Sequence, residues 1–524
     1  MKRTRHALVA AALLGLACEG SGGGGDGLVV KDTILDARCT PVAGSLPSGF
    51  DLIPGDADHA ALVQFLPPAL VGFDLRASRP RVLTVGAIPP DGEDSDGDGV
   101  GDSARSSALG FFPLSPVMGE VAIPAPDLAL VSASNYEEVL FVEPATGALR
   151  SALVRNPTDA PAFAAADYPF LPQDGVEAPR TAISTRACVY PGSGTLDSGG
   201  IGVTADSRCA AAPASFTTNL TAGKALAAGH LFVATSNLRS SGQARFYPGT
   251  VLVYDFDSTG GALRVSPDPE TPVLWTTGFN PTGVTHYVTR AGRELVLVTV
   301  TGAIGAGSGS ANVMTASAVD VIDAASLRIA ASIPLGYAGP SFDRIAIDPS
   351  GRVGLLGASS RRELYAIDLA PLEDPRLYEN DGAPVLLDGL TVGFPDARIF
   401  DADQPLVLPD RADGPPPAQC DGYTHVAIDD AGTLALATDY CDGTLARVRI
   451  DLSGAPAVPV PRERFTDGGS DPLFEPLSSL GLVRGPSLLR VRPGAPGLDY
   501  TGPDVLVVVG LPDAQLCAIR VEAP

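Results

Sequence analysis

Short runs of apolar and β-branched residues recur along the whole chain. Each run holds about five to eight residues and is bounded by glycine, proline, aspartate or serine, which is the pattern of a β-strand. Long stretches with the helical spacing of apolar positions are nearly absent. The sequence therefore predicts an all-β protein.

The runs come in pairs, and the pair recurs along the chain. The first run of each pair is followed by a turn and by a second run that ends near an acidic residue. The first runs lie at 61–66, 128–134, 231–236, 295–300, 353–359, 433–438 and 505–510. The second runs lie at 69–75, 139–147, 251–260, 317–323, 363–369, 445–454 and 516–522. Several pairs follow a further strand and a tight turn, as in R-I-A-I-D-P-S-G-R (344–352).

This recurrence resembles the YVTN-type and related WD40-like β-propeller repeats of bacterial exported proteins, over most of residues 28–524. The resemblance implies a single seven-bladed β-propeller. The units are spaced by about 58–103 residues, more than the roughly 40–50 of an ordinary blade, so the loops must carry insertions. We place the insertions at about 88–106, 151–224 and 371–422. Two β-sandwich domains are the alternative that the irregular spacing leaves open.

The two ends of the chain are predicted to pair in such a ring. The last unit ends soon after its third-strand candidate and lacks an outer strand, which residues 28–35 (L-V-V-K-D-T-I-L) could supply. Cys39 would lie just past that strand and Cys517 within its neighbour. A disulfide between them would lock a closure that otherwise depends on strand pairing.

The beginning of the chain has the pattern of an export signal. Lys2, Arg3 and Arg5 precede an apolar run that is too short to span a bilayer. The stretch L-L-G-L-A-C, ending at Cys18, resembles the lipobox of bacterial lipoproteins. The resemblance implies a signal peptide at 1–17 and lipidation of Cys18, with an ordinary secretory signal as the alternative. Residues 18–27 would form a Gly-rich tether. We expect a lipid-anchored protein of the cell envelope, in the outer membrane on its periplasmic or surface face.

Export would place the cysteines in an oxidising compartment, where they can form disulfides. Apart from Cys18, the chain has six, an even number that favours three disulfides in an oxidising compartment. Local spacing predicts the pairs Cys188–Cys209 and Cys420–Cys441. Cys39 and Cys517 are then left to join the two ends of the chain.

Composition narrows the possible functions by exclusion. About one residue in five is glycine or proline, which indicates many turns but stays below the level of disordered chains. Acidic residues outnumber basic ones by 60 to 36, for a formal charge of −24, and loss of the signal peptide would make it −27. No basic patch is visible, so we expect no nucleic-acid partner.

The sharpest local motif is D-S-D-G-D-G-V-G-D, at 94–102. It resembles the calcium loops of thrombospondin type 3 repeats and dockerins. Its oxygen ligands fall at the spacing that a Ca²⁺ loop needs. They are Asp94, Asp96, Asp98, the carbonyl of Val100, and Asp102. Arg105 stands where an EF-hand has its bidentate glutamate. A solvated acidic loop is the alternative, and we expect a structural Ca²⁺ ion.

Signals for catalysis are few. The chain has no G-x-S-x-G, no P-loop, no H-E-x-x-H and no G-x-G-x-x-G after a strand. His286 and His425 each follow a threonine at the start of a unit and could face a central channel. Hydrogen bonding within their own units is the better interpretation, because no third ligand lies at a useful spacing. Asp348 and Asp429 occupy tight turns, where aspartate caps the backbone.

We therefore expect a non-catalytic binding or scaffold propeller for a protein or glycan partner. Loops on a rigid scaffold usually carry recognition, which makes 151–224 and 371–422 the candidate surfaces. The alternative is a propeller-type hydrolase, lyase or lactonase with a metal in the central channel. Such an enzyme needs three or four inward His, Asp, Glu or Asn side chains that converge on one point.

Overall fold

The structure of the chain is a computed structural model that describes about half of its residues. These are 36–42, 45–66, 68–76, 81–87, 118–133, 138–145, 149–156, 186–191, 208–211, 221–235, 238–239, 245–246, 248–258, 264–268, 270–271, 273–301, 304–306, 312–314, 317–336, 344–357, 363–379, 382, 384–387, 406–407, 423–439, 444–452, 474–481, 486–492, 504–509 and 515–520. Within these ranges, no helix has the length and apolar character needed to cross a membrane. Their only helices are two 3₁₀ turns, Ala370–Glu373 and Pro375–Tyr378.

The prediction of an all-β fold is confirmed, because strands make up nearly all of the regular structure. The first strand is β1 (Asp36–Pro41). Sheet 1 contains β2 (Ser45–Ile53), β3 (Asp56–Leu66), β4 (Pro68–Asp74) and β5 (Arg81–Ala87). Sheet 2 contains β6 (Met118–Ala125), β7 (Leu128–Ala133), β8 (Glu138–Val142), β9 (Leu149–Asn156), β10 (Arg186–Pro191) and β11 (Arg208–Ala211).

The next two sheets each carry an inserted hairpin. Sheet 3 contains β12 (Thr221–Ala227) and β13 (His230–Thr235), followed, after the hairpin β14 (Leu238–Arg239) and β15 (Arg245–Phe246), by β16 (Pro248–Asp257), β17 (Arg264–Pro267) and β18 (Val273–Phe279). Sheet 4 contains β19 (Pro281–Val288) and β20 (Glu294–Val300), followed, after the hairpin β21 (Ile304–Ala306) and β22 (Asn312–Met314), by β23 (Ser317–Asp323) and β24 (Arg328–Gly336).

The remaining strands complete the architecture. Sheet 5 contains β25 (Ala346–Ile347), β26 (Val353–Gly357) and β27 (Glu363–Asp368). Two short strands then return to earlier sheets: β28 (Val385–Leu386) joins β24, and β29 (Leu406–Val407) joins β27. Sheet 6 contains β30 (Tyr423–Ile428), β31 (Leu434–Asp439), β32 (Thr444–Ile450) and β33 (Phe474–Gly481). Sheet 7 contains β34 (Pro486–Arg492), β35 (Asp504–Val509), β36 (Gln515–Arg520) and β1.

Both runs of every predicted pair are the second and third strands of one sheet. In sheet 4 these strands are β20 and β23, and nearly every residue in them is buried. A strand covered on both faces reads as a continuous apolar run, because neither face meets water. The second and third strands therefore gave the clearest signal in the sequence.

Neighbouring sheets pack face to face in the order of the sequence. Their first strands touch, β2 against β6, β6 against β12, β12 against β19, β25 against β30, β30 against β34, and β34 against β2. A hydrophobic cluster that includes Leu297 and Tyr365 joins sheets 4 and 5. The inner strands approach so closely that a Cβ atom at Gly49 would collide with the backbone of Val121. The chain is thus a β-propeller and not a pair of β-sandwich domains.

Turn aspartates close the hairpins at the start of sheets 5 and 6. Oδ1 of Asp348 accepts a hydrogen bond from the backbone N of Arg352 at 2.7 Å. Oδ1 of Asp429 accepts one from the backbone N of Thr433, also at 2.7 Å. Their predicted role as backbone caps is confirmed.

The first described strand completes the last described sheet. β1 lies antiparallel to β36, with Cys39 directly opposite Cys517, and a disulfide joins the two residues. The strand beside β36 therefore begins at Asp36, and the expectation that Cys39 lies past it was wrong. Residues 28–35 lie outside the described residues. Cys39 lies within the outer strand because the disulfide joins two residues that are directly opposite in the pair of β1 and β36.

Two of the three predicted insertions contribute strands, whereas 88–106 lies outside the described residues. The segment 151–224 supplies β10 and β11, which extend sheet 2, but its last residues already belong to β12 of sheet 3. Cys188 and Cys209 are directly opposite partners in β10 and β11. The segment 371–422 supplies β28, β29 and most of the 3₁₀ turns. Its side chains Leu372, Leu377 and Tyr378 are buried in the core of sheets 4 and 5.

The Cys39→Ser variant should lose roughly 2–5 kcal/mol of unfolding free energy, because the disulfide restrains the unfolded chain and fastens an edge strand. Chemical denaturation measures the loss, and hydrogen exchange should show β1 opening before β35. The Thr40→Ser variant, one residue away in β1, is the control. Unchanged stability and unchanged exchange in Cys39→Ser would contradict the proposed role of this bond.

Candidate functional site

Charged side chains from five sheets meet where the first strands line the centre of the propeller. Asp51 lies in β2, Glu120 in β6, Lys224 in β12 and Arg490 in β34, and Arg344 precedes β25. We call these five residues the inner network. They are far apart in sequence, so only the packing of the sheets brings them together.

Arg344 is the centre of the inner network. Its Nη2 donates to Oδ2 of Asp51 at 2.8 Å, and its Nε lies 2.8 Å from Oε1 of Glu120. Arg490 approaches the other side of Asp51, with its Nε 3.3 Å from Oδ1. These side chains are only 12–23% exposed, so solvent screens their interactions weakly. One guanidinium group therefore connects three sheets.

Lys224 is the most deeply buried charged member, with 1% of its surface exposed. Its Nζ donates to the backbone carbonyl of Glu120 at 2.5 Å and to Oγ of Ser132 at 2.7 Å. Burial lowers the pKa of Lys224 to about 8, while the Glu120 carboxylate opposes the shift and Arg344 adds to it. These hydrogen bonds join sheet 3 to sheet 2. The Lys224 amine loses its hydration in return, which is energetically unfavourable.

The chemistry available to the inner network is limited. Its two carboxylates already contact guanidinium groups, so they do not form a vacant cluster of metal ligands. None of the five residues is a histidine. The arrangement pairs acidic residues with arginines of facing sheets and so joins those sheets.

His59 and His286 each contact an acidic residue of their own sheet. Nδ1 of His59 lies 2.6 Å from Oδ2 of Asp56, and Nε2 of His286 lies 3.1 Å from Oε2 of Glu294. The interpretation that His286 bonds within its own unit is confirmed. The backbone N of His425 donates to Oγ1 of Thr438 in the neighbouring strand.

Several predicted site residues cannot be placed. The calcium-loop residues Asp94, Asp96, Asp98, Val100 and Asp102 lie outside the described residues, as do Cys18, Cys420 and Cys441. Their roles stay predictions.

Sequence reasoning missed the inner network altogether. Two features point to it after the fact. A glycine stands beside or two residues before three of the charges, in G-F-D, G-E-V and G-K-A. Lys224 is also one of only three lysines, in a chain that otherwise uses arginine. The pairing of these residues cannot be obtained from either signal, because it depends on which sheets face one another.

Comparisons with known proteins found no sequence family and only remote structural similarities. No protein-family model and no curated protein matches the chain. The β-propeller domain of Cps50 (Swd1) from Myceliophteria thermophila is 11% identical, with a TM-score of 0.45 and coverage of 93% of this chain and 100% of that one. Hydrazine synthase from Kuenenia stuttgartiensis is 11% identical, with a TM-score of 0.48 and coverage of 93% and 98%. The Dos1 propeller is 8% identical, with a TM-score of 0.42 and coverage of 92% and 94%. Similarities this remote say nothing about function.

Replacing Arg344 by methionine should destabilise the protein by about 3–5 kcal/mol, because Asp51 and Glu120 would keep their buried charges without the shared cation. Adding Asp51→Asn should recover part of the loss. Arg290→Met, at an exposed arginine in the turn after β19, is the control and should change stability little. Urea denaturation of the variants measures these differences, and equal losses in Arg344→Met and Arg290→Met would refute the assignment.

The pKa of Lys224 gives a second prediction. Between about pH 8 and pH 10.5 the unfolded chain keeps this proton and the folded chain releases it, so folding stability rises with pH. The Lys224→Met variant lacks this contribution. The wild-type unfolding free energy should therefore gain about 3 kcal/mol relative to Lys224→Met between pH 7.5 and pH 10.5. Parallel pH profiles of the two proteins would rule out the lowered pKa.

Proposed function

We propose that this protein is a lipid-anchored binding or scaffold propeller of the cell envelope, with a protein or glycan partner. The observation that carries the proposal is the inner network. Matched charges from facing sheets occupy the place where a propeller enzyme would gather its catalytic ligands. Recognition then falls to the loops around the rigid sheets.

The best-defined candidate surface consists of residues 370–379, 382 and 384–387, which we call the platform. Its buried side chains Leu372, Leu377 and Tyr378 anchor it in the core of sheets 4 and 5. Its Glu373 carboxylate accepts hydrogen bonds from the backbone N of Arg290 at 3.0 and 3.1 Å. A surface fixed in this way loses little conformational entropy when a partner binds, which favours affinity.

The outer side of the platform presents both charge and apolar surface. Arg376 and Glu379 are exposed, and Leu386 is 51% exposed. Such a mixed surface suits a protein or glycan better than it suits a polyanion. The strongly acidic composition of the chain agrees with this assignment.

The remaining parts of the proposal concern residues outside the described ranges and the overall assembly. Cys18 would carry the lipid anchor, in the outer membrane, and 18–27 would tether the propeller to it. The loop of Asp94, Asp96, Asp98, Val100 and Asp102 would hold a structural Ca²⁺ ion. The seven sheets would be the blades of one closed ring. The alternative, a hydrolase, lyase or lactonase with a metal in its channel, has no observation in its favour among the described residues.

Photocrosslinking on intact producing cells tests the binding function. A photoreactive amino acid at Glu379 on the platform should yield a specific adduct, and the same residue at Arg76, an exposed position of sheet 1, should not. Mass spectrometry identifies a protein adduct, and loss of the adduct after glycosidase treatment identifies a glycan. The Arg376→Glu variant should weaken the platform adduct. Identical adduct patterns from the two positions would refute a platform partner.

A further inference from the structure

Sheet 3 carries a second cluster of polar side chains, well separated in sequence from the inner network. Its members are His230, Asp255 and Asp268, and one ligand atom from each lies within 4.8 Å of the other two. The residues come from the start of β13, from β16, and from the turn that follows β17. They were not singled out in the sequence because no two of them have a recognised metal-binding spacing.

The strand register places the three residues together. His230 is directly opposite Asp255 in the antiparallel pair of β13 and β16. Asp255 is in turn opposite Ser266 in β17, and Asp268 follows Ser266 by two residues. Directly opposite residues project to the same face of a sheet, and residues two apart along a strand do so as well. The pleat therefore directs all three side chains to one side.

The local backbone holds His230 in place. A tight turn precedes it, with positive φ angles at Ala228 and Gly229, and the carbonyl of Gly229 accepts a hydrogen bond from Phe256 N at 2.9 Å. The imidazole ring also packs edge-on against Phe232, with 6.3 Å between the ring centroids. A ligand held by packing and backbone loses little freedom when it binds an ion.

One atom of the cluster, Nδ1 of His230, is buried without a hydrogen-bond partner in the described part of the chain. It lies 3.2 Å from Oδ1 of Asp255, outside hydrogen-bond geometry. Asp268 is only 8% exposed, and its Oδ1 already accepts bonds from the backbone N atoms of Glu270 and Thr271. An unpaired buried polar atom such as Nδ1 of His230 is costly, which favours a ligand at this position.

We propose that His230, Asp255 and Asp268 bind a divalent transition-metal ion of the zinc type. Zinc accepts imidazole nitrogen and carboxylate oxygen together, often with three protein ligands and one water. Ligands about 2.1 Å from a tetrahedral ion lie about 3.4 Å apart, and the His230–Asp255 separation of 3.2 Å is close to that value. Ca²⁺ fits poorly, because it prefers six to eight oxygens.

The ion would join three segments that the chain otherwise links only through strand pairing. It would connect the start of β13, the end of β16 and the turn after β17 at one edge of sheet 3. The side chain of Asp255 is 48% exposed, so water can reach the fourth coordination position. This site does not depend on the proposed binding function, and either can fail without the other.

Sheet 1 offers a natural control. His59 in β3 is directly opposite Asp74 in β4, which is the same relation as that of His230 and Asp255. The acid is occupied there, because Arg76 donates to both oxygens of Asp74 at 3.0 and 2.8 Å. Nδ1 of His59 contacts Asp56 instead. The two His–Asp pairs occupy equivalent strand positions. In sheet 1 other side chains bind the ligand atoms, whereas in sheet 3 Nδ1 of His230 has no hydrogen-bond partner among the described residues.

Zinc binding to the full mature chain, stripped with EDTA and dialysed, tests the proposal. Isothermal titration with ZnCl₂ should show one site that His230→Gln weakens at least about 100-fold and that His59→Gln leaves unchanged. Asp255→Asn, a substitution at an exposed side chain that should not disturb folding, must also weaken it. Co²⁺ should give a visible absorption band in the wild type that His230→Gln abolishes.

Excess Ca²⁺ separates this site from the loop at 94–102, because it should not displace zinc from the His230 site. Wild-type zinc affinity in both His230→Gln and Asp255→Asn would overturn the proposal, as would displacement of zinc by Ca²⁺. Circular dichroism of the metal-free variants confirms that each is folded before titration.

Discussion

The pairing of β1 with β36 is the interaction on which the arrangement of the sheets depends. It completes the last sheet with a strand from the beginning of the described chain, and the disulfide between Cys39 and Cys517 fixes its register. Sheet 7 packs in turn against sheet 1 through β34 and β2. Each sheet can then cover both faces of its second and third strands with neighbours, which is why these strands are so uniformly apolar.

The close approach of the first strands has an electrostatic consequence. The centre of a propeller is narrow, and side chains from different sheets must share it. Asp51 and Glu120 both meet Arg344 there, and Lys224 is buried against the backbone of Glu120. Removing one partner from this centre would lower the stability of the fold, because the remaining charge would stay buried. We propose that recognition falls instead to outer surfaces such as the platform.

The sequence could predict the sites only where their residues are close in the chain. The loop at 94–102 is a local motif, and Asp348 and Asp429 are local turn residues. Both were predicted from spacing alone; the structure confirms the two turns, whereas the loop stays a prediction. The cluster of His230, Asp255 and Asp268 is different, because only the register of β13, β16 and β17 brings these three residues together. Sheet 1 shows the same dependence on tertiary contacts. There Arg76 binds Asp74, the residue that corresponds to Asp255.

The sequence by itself determined the all-β fold and the seven recurring strand pairs, which follow from local patterns of apolar runs and turn residues. It also predicted the pairing of Cys39 with Cys517, because the parity of the cysteines and the local spacing of the other two pairs leave these two residues over. Only the tertiary structure decided which strand closes sheet 7, how 371–422 enters the core, and which charges share the centre. Those outcomes depend on contacts between residues that are hundreds of positions apart, such as Arg490 and Asp51. No local pattern encodes them, because the packing of whole sheets sets the distance between such residues.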